Sequence, residues 1–451
     1  MGKKGLFFLS GLWVMLLTAC SAPSLISRSV QKGFLAKEPF QTAHVGISIF
    51  DATANKSLYD YQGDKYFLPA SNTKIFTLYA GLKYLRDSLA GIRYEETNDS
   101  FYVYPTADPT LLHPLFKKQP VIEKLQTVTK PIVIMNNAWQ EEALGAGWSW
   151  DDYNENYMQE RSSMPVYGNS IKWIQVAQKN TQAELEDSLQ TFVFSEPEIN
   201  WKVRFKEDRL NKTFMVKRKK DDNYFEVSQG REVYKEQSVP FITNGLSSAI
   251  ELLKDTVPQT VSVQQNVGTP NRDSALRKTI YSQPADSVYR PMMFTSDNFY
   301  AEQILLMVSH EKLGLMSDSQ IISNLLASDL KDLPQKPVWV DGSGLSRYNL
   351  FTPRDFVWIL NRLKDEFGFE RLKRLFPGGG QGTLSGYYRS DSGYIFAKTG
   401  TLSGQVALSG YLLTATNKLL VFSVLVNNHN GSATAIRRAV ELFLGDLRRR
   451  Y

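Results

Sequence analysis

The sequence predicts a mixed α/β (α+β) protein in which a domain of helices and strands is interrupted by a long β-rich insert. Three observations carry this prediction. Helical and strand patterns alternate near both ends of the chain. Between about 96 and 284 the texture changes to short β-rich pieces separated by polar turns. At 451 residues the chain is also too long for a single ordinary core.

The elements follow in order. Lys3 and Lys4 precede an apolar run from Leu6 to Leu17 that closes on Leu17-Thr18-Ala19-Cys20. This is the pattern of an export signal over 1–20, too short to span a membrane comfortably. Its ending resembles a bacterial lipobox, which makes Cys20 the expected lipidation site. Residues 21–42, mixed Ser, Pro and Lys, read as a tether. His44–Phe50 alternates as a strand, Asp51–Lys56 as a turn, and Leu58–Tyr61 as the return strand. Ser71 opens a helical pattern with Ile75, Leu78, Tyr79 and Leu82 on one face. Within the insert, Phe101–Tyr104, Ile132–Met135, Trp201–Phe205 and Tyr224–Val227 read as strands, and Lys217–Lys220 is a basic run. Beyond 285, Phe299–Val308 is a helix candidate, Val406–Leu413 and Leu419–Val426 an antiparallel pair, and Ala435–Leu444 a closing helix. The expected organisation is therefore one discontinuous domain from 43–95 and 285–451, with 96–284 forming one or two inserted subdomains.

Composition narrows the chemistry. A net charge of +6 with a pI near 9.0 favours anionic neighbours, yet no nucleic-acid motif accompanies it. One cysteine excludes intramolecular disulfides and thiolate metal clusters. His44, His113, His310 and His429 lack metal-ligand spacing, and none is placed to complete a Ser-His-Asp triad. No metal or cofactor is expected.

Three short motifs occur in sequence: Ser71-Asn72-Thr73-Lys74, Ser296-Asp297-Asn298 and Lys398-Thr399-Gly400-Thr401. Each is common alone; their ordered combination is specific. Serine is a weak nucleophile until a base removes its proton. At a helix start Ser71 and Lys74 share one face, and the helix N-terminus offers free N–H groups. Lys74 acts as a base only with a depressed pKa, which burial and a second cation, Lys398, would supply. Ser296 is placed to relay a proton between Lys74 and the leaving amine, and Asn298 to hold a substrate carbonyl, with Asp297 pointing away. Lys398 and Thr399 suit a substrate carboxylate, Gly400 permits close approach, and the Thr401 N–H with that of Ser71 would form an oxyanion hole.

With these residues in place, the chain resembles the class C low-molecular-mass penicillin-binding proteins, the D-alanyl-D-alanine carboxypeptidase/endopeptidase family. Asp341-Gly342-Ser343-Gly344-Leu345-Ser346-Arg347-Tyr348-Asn349 is similar to that family's segment between the second and third motifs. Ala107-Asp108-Pro109-Thr110-Leu111, Gly147-Trp148-Ser149-Trp150-Asp151-Asp152 and Arg290-Pro291-Met292 also match family segments. Thr106 departs from the pattern, standing where a glycine is expected, and 155–280 matches loosely.

The resemblance, which runs from about 40 to 430, implies a penicillin-binding/β-lactamase-like transpeptidase fold: an antiparallel sheet flanked by helices, with the site at their junction. It implies acyl-serine chemistry on peptidoglycan stem peptides, covalent inhibition by β-lactams, and an acidic residue facing the site, carried onto Asp152. With the signal, it places the protein on the periplasmic side of the envelope, held to the membrane by its lipid. Three other readings stay open: a β-lactamase, a non-catalytic penicillin-fold lipoprotein binding peptidoglycan, and an esterase using the same Ser-Lys pair. Glu196-Pro197-Glu198-Ile199-Asn200 resembles the loop that carries the deacylation base in class A β-lactamases, but it precedes the second motif instead of following it. Gly378-Gly379-Gly380-Gln381-Gly382 reads as a flexible loop near the site.

Overall fold

A computed structural model describes residues 29–179, 189–206, 212–264 and 277–451. The signal segment and Cys20 lie outside these residues. The central sheet is five-stranded and antiparallel, in the order Ile395–Leu402, Gln405–Leu413, Leu419–Asn427, His44–Asp51, Lys56–Tyr61. Its middle strands are near-continuous apolar runs because both faces are covered. Alternate residues divide between two cores, as the two-residue period of a strand requires. Ala407, Tyr411, Val421 and Leu425 face the helices Lys74–Tyr84, Asn298–Leu313 and Pro353–Phe367. Val406, Leu408, Leu420, Phe422 and Val424 face the C-terminal helix Ala433–Arg450.

That second core also takes in part of the stretch expected to be a tether. Ser29–Leu35 and Glu38–Gln41 are helical, and Val30, Phe34 and Phe40 are buried. The Phe34 ring lies 5.4 Å from that of Phe443 of the C-terminal helix, tilted by 36°. Three apolar side chains set in a polar stretch suffice to dock it, which composition alone does not reveal.

The inserted region holds a second five-stranded sheet, ordered Val261–Gln264, Ile132–Met135, Phe101–Pro105, Ser88–Glu96, Lys278–Pro284. The strand Ser88–Glu96, assigned from sequence to the first half of the peptidase domain, thus belongs to this sheet. There it pairs antiparallel with the returning strand Lys278–Pro284. Two three-stranded sheets complete the insert and share a core containing Trp173, Phe225 and Phe241. Thr106, the departure from the family pattern, is buried and donates its hydroxyl to Ala90 O and Gly91 O at 2.6 and 2.7 Å.

The insert is fastened to the helix Asn298–Leu313 by buried polar contacts. Gln303 Nε2 donates to Ala107 O and Ser162 O at 2.9 and 2.8 Å, and Gln303 Oε1 accepts from Ser162 N. Arg161, 1% exposed, donates to Asp318 at 2.5 Å and lies 3.7 Å from Glu302. Glu196 of the β-lactamase-like segment ends an insert strand and pairs with Lys172. No helix among the described residues is long and apolar enough to cross a membrane.

Candidate active site

The three motifs converge where the helix Lys74–Tyr84 meets the edge strand Ile395–Leu402. A tight turn, Ala70–Thr73, precedes that helix and carries Ser71. Asn72 Nδ2 donates to Lys398 O at 3.1 Å and ties the turn to the strand. A Cβ on Gly400 would come within 2.6 Å of Pro69 O, so only glycine allows this approach.

Lys74 is fully buried, and its Nζ reaches three acceptors. Ser71 Oγ lies at 3.0 Å, Asn298 Oδ1 at 2.7 Å and Ser343 O at 2.8 Å. Burial pulls Lys74 down to about 8, while the negative charges of Asp341, Glu302 and Asp297 resist the fall. Repulsion between the two ammonium groups acts on both lysines. Burial first, and the positive charge of Lys74 second, push Lys398 well below its ordinary value. Near neutral pH Lys74 therefore supplies a useful fraction of free amine within reach of the serine hydroxyl.

Ser296 does not touch Lys74. Its Oγ accepts from Lys398 Nζ at 2.8 Å, and the same ammonium donates to Thr399 O at 2.8 Å. The expected relay from Lys74 through Ser296 is thus replaced by a second, separate lysine–serine pair. The helix cap of the second motif is Asp297, whose Oδ1 accepts from Tyr300 N at 3.0 Å. Asn298 spends its carbonyl on Lys74 and one N–H on Tyr157 O at 3.0 Å, leaving one N–H for a substrate carbonyl.

Asp152 stands at the rim, in the short turn Trp150–Asp152. It bonds neither the serine nor the lysines but lies beside Tyr157, whose phenol burial and the Asp152 carboxylate push up to about 12. The glycine-rich stretch is packed, not loose: Gly379 N donates to Ile395 O and Ala397 N to Pro377 O, along the start of the edge strand.

Several roles escaped sequence reasoning. Asp341 is buried and accepts from Gly344 N, Ser346 N, Asn349 Nδ2 and Trp148 Nε1 at 2.6–3.0 Å. These bonds fold the Asp341–Ser346 segment into the turn that delivers Ser343 O to Lys74. Gly344 adopts φ +83°, and a Cβ there would overlap Ala70 O at 1.9 Å. Behind the turn, Glu302 Oε1 accepts from Ser343 N at 2.7 Å. Burial and the Asp341 charge push Glu302 up to about 8, and Arg161 opposes the rise. On the far side, Thr401 Oγ1 accepts from Arg437 of the C-terminal helix at 2.6 Å. Of these, Glu302 and Arg437 carried no sequence signal, whereas Asp341, Ser343 and Gly344 lie in the segment already matched and Thr401 in the third motif.

A serine beside a buried lysine, with a second lysine–serine pair across an edge strand, is the equipment of serine acyl-transfer enzymes that use lysine in place of histidine. The chain belongs to the D-Ala-D-Ala carboxypeptidase 3 (S13) family, whose pattern it matches over residues 28–446. It is 22% identical to the D-alanyl-D-alanine carboxypeptidase DacB of Haemophilus influenzae, covering 86% of each chain. It is 24% identical to a D-alanyl-D-alanine carboxypeptidase of Actinomadura sp., over 89% of this chain and 81% of that one. The fold is similar to the crystal structure of penicillin binding protein 4 from H. influenzae, with a TM-score of 0.71 and 20% identity over 94% of this chain and 99% of that one.

Proposed function

We propose that this protein is a serine-type D-Ala-D-Ala carboxypeptidase and DD-endopeptidase that hydrolyses peptidoglycan stem peptides through an acyl-enzyme on Ser71. The observation that carries this reading is the 3.0 Å contact between Ser71 Oγ and the amine of a fully buried Lys74. Neutral Lys74 takes the hydroxyl proton as Ser71 Oγ bonds to the carbonyl carbon of the penultimate D-Ala. The developing oxyanion is held by the backbone N–H groups of Ser71 and Thr401. The C–N bond then breaks as the Lys74 ammonium returns that proton to the leaving nitrogen, toward which Ser296, held by Lys398, donates a hydrogen bond. Lys74, neutral again, takes a proton from water as the water oxygen attacks the ester carbonyl, and gives it to Ser71 Oγ as the ester bond breaks. Asp152 joins the rim that receives the stem-peptide side chain. A leaving free D-Ala makes the reaction a carboxypeptidase step; a leaving cross-linked strand makes it an endopeptidase step.

β-Lactams acylate the same serine. The test is the intact mass of the protein after incubation with benzylpenicillin, beside Ser71→Ala. A stable adduct on the wild type alone is expected; an adduct on both proteins, or on neither, contradicts the assignment.

We also infer export and lipidation at Cys20, with the enzyme held on the periplasmic side of the envelope. The signal-like first twenty residues and their lipobox-like ending support this. Labelling with a radioactive fatty acid should mark the wild type and not Cys20→Ser, and the variant should leave the membrane fraction. An unlabelled wild type refutes the anchor.

A further inference from the structure

We propose that Arg161 of the insert is a positioning residue for the catalytic base: it keeps the carboxylate of Glu302 charged behind the turn that holds Lys74. This rests on the reading of Ser71 and Lys74 given above, and it gives the insert a part in the chemistry.

Arg161 is locked from its own side. Its backbone N–H donates to Ala143 O at 2.7 Å, and its Nη2 donates to Glu142 O at 2.9 Å and Leu144 O at 3.3 Å. The guanidinium thus faces the helix Asn298–Leu313 from a fixed point. Three carboxylates from three elements meet it there. Nη1 lies 2.5 Å from Asp318, at the start of the helix Asp318–Ala327, and 3.7 Å from Glu302. Nη2 lies 3.3 Å from Glu141 of the insert. The side chains of Arg161 and Glu302 are both almost wholly removed from water.

The two oxygens of Glu302 face different partners. Oε1 accepts from Ser343 N at 2.7 Å, and the carbonyl of the same residue, Ser343 O, accepts from Lys74 at 2.8 Å. Oε2 is buried and accepts no hydrogen bond. Among the described residues, Arg161 is the one cation within ion-pair distance of it. The contact with Asp318 already anchors the insert. The longer reach to Glu302 adds no hydrogen bond, so what it supplies is charge.

That charge decides the state of Glu302. Burial and the negative charges of Asp341 and Asp318 favour its neutral form, and Arg161 opposes them. Lys74 responds in turn: Asp341, Glu302 and Asp297 favour its ammonium, while Lys398 across the site repels it. With Arg161 gone, Glu302 holds a proton on Oε2 and keeps its bond to Ser343 N through Oε1. It then no longer supports the ammonium of Lys74, and the amine is freed at lower pH although the turn survives. A second insert side chain braces the same turn. The Trp148 ring lies 5.6 Å from the Arg161 guanidinium, and its Nε1 donates to Asp341 at 3.0 Å.

The experiment measures the pH profile of acylation by benzylpenicillin for the full chain. Wild type is set beside Arg161→Met, Arg161→Lys, Glu302→Gln and the double variant Arg161→Met/Glu302→Gln. Arg161→Met should move the rising limb to lower pH by roughly half a unit, as Glu302→Gln does, with a plateau within about threefold of wild type. Arg161→Lys keeps a cation and should fall between wild type and Arg161→Met. The limb of the double variant should coincide with that of Glu302→Gln to within about 0.2 unit, because the arginine acts through the carboxylate. An unmoved limb with a lowered plateau would show that Arg161 only braces the insert, and a limb moved to higher pH would reverse its sign. A further displacement in the double variant would show that it acts on Lys74 without Glu302. Each of these results overturns the proposal. If Arg161→Met fails to fold, Arg161→Lys is compared in the wild-type and Glu302→Gln backgrounds. A limb displaced to lower pH in the first and unmoved in the second upholds the proposal; any other pattern overturns it. A wild type that takes up no penicillin defeats the reading of Ser71 and Lys74 itself. One that is acylated, with the same limb in wild type and Arg161→Met, defeats this inference alone.

Discussion

The site contains two lysines with no exposed surface and opposite surroundings. Lys74 has three hydrogen-bond acceptors and lies in the field of three carboxylates, those of Asp341, Glu302 and Asp297. Lys398 has two acceptors, Ser296 Oγ and Thr399 O, and the nearest charge acting on it is the like charge of Lys74. Burial alone drives both ammonium groups toward neutrality. The carboxylates behind Lys74 stop its descent near 8, where an amine both takes and returns protons in a catalytic cycle. Lys398 has no such brake in the free protein. On the proposed reading a substrate carboxylate entering beside Thr399 would provide it, and binding would favour the charged form of Lys398. One lysine is tuned by the fold and the other by the ligand.

The comparison breaks most sharply at Lys74. Lys74→Ala removes the base while leaving Lys398 and Ser296 in place, and acylation by benzylpenicillin should slow by roughly 10³-fold or more. Stopped-flow or timed mass spectrometry measures it; a loss under tenfold would transfer the base role to the Lys398 side.

Glu302→Gln tests the brake. The Glu302 carboxylate favours the Lys74 cation, so its removal makes the amine easier to deprotonate. The rising limb of the pH–acylation profile should therefore move to lower pH. Because Glu302 is itself pushed up to about 8, the displacement appears around and above that pH, not in the acid range. A limb that moves to higher pH contradicts the account.

The smallest effect is expected at the rim. Asp152→Asn should leave penicillin acylation within about twofold, since an accessible carboxylate not bonded to the reacting groups contributes little. Cleavage of stem peptides with a cationic side chain should fall more than cleavage of neutral ones. Equal losses would show that Asp152 serves only to hold Tyr157.

These differences also mark what the sequence could reveal. The three motifs were legible because acyl transfer needs particular residue types within three or four consecutive positions. The strands Gln405–Leu413 and Leu419–Asn427 were legible because burial on both faces writes an unbroken apolar run. The partners that tune the lysines were not. Glu302 and Arg437 are ordinary helix residues, and they become site residues only when the chain brings positions 302 and 343, or 401 and 437, together. The Ser296–Lys398 pairing was misread for the same reason, since the 102-residue gap carries no hint of which lysine faces which serine. Residues 88–95 were placed with the first half of the discontinuous domain, whereas Ser88–Glu96 is a strand of the insert's sheet, paired with Phe101–Pro105 and with Lys278–Pro284 at the insert's far end.

The most direct measurement of the central claim is the second-order rate constant for acylation of Ser71 by benzylpenicillin between pH 6 and 9.5. A buried Lys74 acting as base predicts that the rate rises with pH and levels off through an inflection near 8, as the free amine replaces the ammonium. A flat profile, or a rate that falls across this range, would show that the proton of Ser71 goes elsewhere.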